Sequence, residues 1–64
     1  MNKNELALAD AKKIIGSFEP TNVASTALWR QSKAYLDDED GKWALIFAKR
    51  ADFMEFDYMT MFNG

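Results

Sequence analysis

The stretch WALIFAKRADFMEFDYMTMF, Trp43 to Phe62, decides how this chain folds. It holds six of the nine aromatic residues (Trp43, Phe47, Phe53, Phe56, Tyr58 and Phe62) and three of the four methionines. Read at helical spacing, Trp43, Ala44, Phe47, Ala51, Met54, Tyr58, Met61 and Phe62 form one broad apolar stripe, and the acids just before it suit the positive end of a helix dipole. Read as a strand, Met54, Phe56 and Tyr58 alternate with Glu55 and Asp57, and Asp40-Gly41 becomes a hairpin turn between Tyr35-Leu36 and Trp43-Ala44. Asp52, Glu55 and Asp57, with no Lys or Arg after Arg50, also oppose a helix, because they sit toward its negative end. The broad stripe outweighs these objections and predicts a helix over 42–60. The alternative is an α+β fold with an N-terminal helix packed on a short antiparallel meander or hairpin.

Upstream, the pattern is helical twice more. Asn2 and Glu5 have the spacing of a capping box, and Ala7, Leu8, Ala11, Ile14, Ile15 and Phe18 then fall on one side of a helix over 4–18. Gly16 and Ser17 weaken its last turn, and Pro20 biases Glu19 away from helical angles. Thr21 or Asn22 can cap a second helix over 22–36, on which Val23, Ala24, Ala27, Leu28, Gln31, Ala34 and Tyr35 share a face. Asp37, Asp38, Glu39, Asp40 and Gly41 read as a loop. The fold class is therefore all-α, a single small three-helix domain spanning 1–64.

Size limits what such a domain can do alone. With 64 residues and no cysteine or histidine, it has neither disulfides nor the usual zinc ligands to reinforce a small core. Association with another chain, self-association included, is the remaining aid. The expected setting is cytoplasmic. Met1 to Asp10 carries Lys3, Glu5 and Asp10 without a continuous apolar run, unlike a secretory signal. The longest apolar run, Trp43 to Ala48, is far short of the ~20 residues that span a bilayer.

Catalysis, cofactors and metals are not expected. Without His or Cys the common nucleophile–base pairs are missing, and none of Gly16, Gly41 and Gly64 sits in a phosphate-binding loop. Aligning Gly41 with the sixth position of a calcium loop puts Leu36 and Phe47 at the first and twelfth, where acids are needed. The acidic run therefore reads as a solvated loop that caps the next helix.

Two binding readings remain. The third helix also carries Leu45, Ile46, Phe53, Phe56 and Met59 away from its main stripe, more apolar surface than one core face hides. Aromatic and methionine side chains are enriched in interfaces, so these residues predict a protein-binding module, in the manner of a small inhibitor or regulator. The alternative is a small nucleic-acid-binding regulator in which a helix-turn-helix-like pair presents Thr26, Trp29, Arg30 and Lys33, with Lys12 and Lys13 on the backbone. The net charge of −2 disfavours this second reading, because phosphate binders normally carry a basic excess.

Overall fold

Each helix starts on a side chain that closes its first turn. In the computed structural model, which describes residues 1–57, Asn2 Oδ1 accepts the Glu5 N–H at 2.8 Å and opens α1, Lys3–Gly16. The reciprocal bond runs from the Asn2 amide to the Glu5 carboxylate, 3.2 Å. Asn22 opens α2, Val23–Asp37, by accepting the Ser25 N–H at 2.8 Å. Asp40 opens α3, Gly41–Asp52, by accepting the Trp43 N–H at 3.3 Å. The chain then continues from α3 as a π-helical turn, Phe53–Asp57. The part of the expected third helix from 58 to 60, and Met59 with it, lies outside the described residues.

The α+β alternative is overturned, since no described residue is in a strand. Asp40-Gly41 begins a helix instead of turning a hairpin, and the physical reason is the way α2 ends. The Glu39 N–H bonds to the Leu36 carbonyl at 3.1 Å and the Asp40 N–H to the Tyr35 carbonyl at 2.9 Å. This is the paired closure of a Schellman motif, with Glu39 at φ 57° in the left-handed position usually given to glycine. Asp40 is thereby placed to cap the next helix.

The interior is built from small residues. Helix α3 lies between α1 and α2 and buries Gly41, Ala44, Ala48 and Ala51. Ala11 and Ile15 meet this stripe from α1, while Ser25 and Ser32 are the fully buried residues of α2. Ser32 Oγ donates to the Ala44 carbonyl at 2.7 Å, so the hydroxyl is satisfied inside the helix–helix seam. A Cβ on Gly41 would lie 2.5 Å from the Asn4 carbonyl oxygen and 3.0 Å from the Ala7 Cβ; glycine is what lets α3 approach α1 this closely.

The inward face of α2 differs from the expected one. Val23 is 89% exposed, and Ala24, Ala27, Gln31 and Ala34 are exposed as well. The helix is rotated so that its serines enter the seam and Trp29 and Leu36 pack on the α1 side of the core. Trp29 fixes that rotation by donating its indole N–H to the Ile15 carbonyl at 3.0 Å. Apolar periodicity misses this arrangement because it scores a buried, hydrogen-bonded serine as polar.

Candidate protein interface

The rotation of α2 leaves Leu28 and Tyr35 of its apolar stripe beside α3, on what is here the α2–α3 flank, while Val23 and Ala27 turn to a separate depression with Pro20 and Arg30. Tyr35 stacks there on Phe47, with ring centroids 5.5 Å apart and planes 9° apart, and on Trp43 at 6.3 Å. Trp43 remains 41% exposed. Further along the same flank, Leu28, Lys49, Arg50, Phe53 and Met54 line an open groove of about 300 Å³. Its floor is aliphatic and aromatic, and its rim carries two cations. The Arg50 guanidinium lies 5.7 Å from the Phe47 ring, within the range at which a cation is drawn to an aromatic face.

At the far end of the groove, the π-helical turn is fastened to the start of α2. Glu55 accepts the Thr21 N–H at 2.7 Å, the Thr21 hydroxyl, and the Ser25 hydroxyl at 2.7 Å. Asn22 Nδ2 donates to the Met54 carbonyl at 3.2 Å. These bonds hold the Glu55 carboxyl below its ordinary pKa, the Thr21 hydroxyl being the largest cause, then the Thr21 N–H and the Ser25 hydroxyl. An acid that is unfavourable at the end of its own helix is thus used at the positive end of another. The sequence signal was present, as an acid with no local justification, but its partner is 34 residues away.

The residues singled out for protein binding do not form one surface. Leu45 packs against the core, and Ile46 is half-buried. Phe53, 39% exposed, stands in the groove. Phe56 is 55% exposed, with its ring edge against Phe18 at a centroid distance of 5.2 Å. Tyr35, Trp43, Phe47, Leu28 and Met54 complete the flank. Three of them, Trp43, Phe47 and Met54, belong to the stripe whose spacing suggested a core.

The residues singled out for nucleic acid fall in separate places. Lys12 and Lys33 line a depression between α1 and α2 whose walls also include Asp37 and Glu39. Thr26 and Arg30 line another, near Pro20 and Asn22. Lys13 is exposed. Trp29 is half-buried, with its indole N–H bonded to Ile15 and the Lys33 ammonium 4.5 Å from its ring.

The acidic run is divided among structural duties. Asp37 ends α2, Asp38 is its C-cap, and Asp40 caps α3. Glu39 accepts the Asn4 side-chain amide at its carbonyl, 3.0 Å, while Asn4 Oδ1 takes the Gly41 N–H at 2.8 Å. Among the described residues no three acidic side chains gather as a metal site, and no helix is long and apolar enough to cross a membrane. Comparison with protein-family models, curated proteins and solved structures gave no match.

Proposed function

We propose that this domain is a non-enzymatic protein-binding module that docks through the α2–α3 flank. The observation that carries the reading is an inversion of the usual core. The buried apolar residues are Ala11, Ile15, Ala44, Ala48 and Ala51, while none of the seven described aromatic side chains is fully buried. Trp29 and Tyr35 pack against this small core, but Trp43 and Phe53 stay exposed along the flank and its groove, and large rigid side chains so placed are the usual anchors of protein recognition. Lys49 and Arg50 on the rim favour a partner surface with acidic groups around an apolar centre. An inhibitory or regulatory role fits a domain of this size.

The nucleic-acid alternative has less in its favour, since its basic residues are split between two depressions and one of these also carries two acids. The binding reading is tested by affinity capture from the native host with wild-type protein and with Phe53→Ser/Met54→Ser. Wild type is expected to retain a protein in stoichiometric amount that the double variant, of equal helical content, releases. Equal recovery by both contradicts the reading.

A further inference from the structure

We infer that the α2–α3 flank receives an acidic amphipathic helix of a different protein, whose carboxylates meet Lys42, Lys49 and Arg50 while a large apolar side chain enters the groove between Leu28, Phe53 and Met54. The partner's chemistry is what this adds to the binding reading above, on which it rests.

A continuous series of contacts joins these cations. The Lys42 ammonium lies 5.6 Å from the centre of the Trp43 ring. Trp43 meets Tyr35 and Phe47, the Arg50 guanidinium lies over Phe47, and Arg50 joins Lys49 beside the groove. Cations therefore stand at both ends of an aromatic platform. Two of the three are held against a ring face, so their charge is positioned before a partner arrives.

The acids close to them in sequence are committed elsewhere. Asp40 caps α3 at the Trp43 N–H, and Glu55 accepts from Thr21 and Ser25. Asp52 and Asp57 are absent from the groove, whose lining among the described residues holds two cations and no acid. The depression between α1 and α2 is different, because there Lys12 and Lys33 share the walls with Asp37 and Glu39. Charge over the whole molecule then selects the face. With Lys42, Lys49 and Arg50 set aside from the eight basic residues, five remain against ten acids, so an acidic partner is drawn to this flank and opposed by the charge of the rest.

Spacing sets the partner's form. Lys42 and Lys49 are seven residues apart, two turns and about 10 Å along α3. A helix laid beside α3 presents acids at the same two-turn interval on one face, with apolar residues between them over Trp43 and Phe47. The groove, about 300 Å³, is at the lower limit of ligand pockets and suits one large side chain. Its floor of Leu28, Phe53 and Met54 has nothing to read a base edge, and a flat lipid surface would leave it unfilled.

Selection from a yeast-displayed library of helical peptides, randomised along one face, tests the inference. It is run against wild type and against Lys42→Glu/Lys49→Glu/Arg50→Glu, with circular dichroism establishing that both are folded. Wild type is expected to enrich peptides with Asp or Glu two turns apart around Leu, Phe or Trp, and the charge-reversed protein to enrich Lys or Arg at those positions. A synthetic peptide from the wild-type selection is expected to bind Phe53→Ser/Met54→Ser about tenfold or more weakly. Enriched peptides without acids, the same acids selected by the charge-reversed protein, no enrichment, or a peptide indifferent to the Phe53/Met54 double variant each overturn the inference. So does tighter binding of oligothymidylate, of phosphatidylserine vesicles or of a second copy of the chain than of the peptide. A host protein captured through Phe53 and Met54 but retained equally by the charge-reversed protein overturns this inference alone. Loss of that capture difference removes the binding reading itself.

Discussion

Gly41 is where the fit of α3 against α1 is decided. Replacing glycine by alanine inside a helix ordinarily gains up to about 1 kcal/mol. Here the new methyl would meet the Asn4 carbonyl at 2.5 Å and the Asn4 Oδ1 at 2.8 Å, and a backbone oxygen cannot swing aside. Gly41→Ala should therefore lower the urea midpoint, at a cost of about 1–3 kcal/mol typical of overpacking. Glu39 behaves oppositely. Its φ of 57° is strained for any residue with a Cβ, and its bond to Asn4 uses only the carbonyl, so Glu39→Gly should stabilise by roughly 0.5–1 kcal/mol in the same measurement. At this scale the caps were legible in the sequence, because Asn2 and Glu5 meet within one turn. The role of Gly41 was not. A glycine after an acid looks like a turn, and the need for it lies in a neighbour 37 residues away.

Among the elements, α3 and its π-helical turn are held to the start of α2 by the Glu55 carboxylate. Because its folded pKa is depressed, the stability it contributes is full above 4.5, the ordinary glutamate value, and is lost as the pH falls through the lower folded value. Glu55→Gln should be the less stable protein at neutral pH, and the gap between the two should close on acidification below that value. Thermal melts of both proteins across the acid range check this, and a gap that stays constant with pH contradicts the clamp. Three helices could be read from periodicity and caps to within a few residues at their starts. The facing of α2 could not, since Ser25 and Ser32 are buried only because a carboxylate and a helical carbonyl accept their hydroxyls. The strand-like alternation of Met54, Phe56 and Tyr58 misled for a related reason: Glu55, between the first two, points to a distant helix terminus and not to water on a sheet face.

For the molecule as a whole, an alanine core gives close backbone contact but little apolar area, so the aromatic flank must contribute more than a surface normally does. Phe47, stacked on Tyr35 and half-buried, should cost about 2 kcal/mol when cut to alanine, part of the 3–5 kcal/mol typical of a fully buried ring. Phe53→Ala should leave the urea midpoint at low concentration nearly unchanged, within about 0.5 kcal/mol, while weakening association. If self-association reinforces so small a core, stability is tied to concentration, because what binds only the folded state stabilises it by mass action. The direct measurement is the melting temperature of the wild-type protein from about 5 to 500 μM. A rise of roughly 5 °C or more across that range is expected, as about 1 kcal/mol of added stability produces in a domain this small. Superimposable melting curves at every concentration would contradict self-association as the aid that so small a core needs.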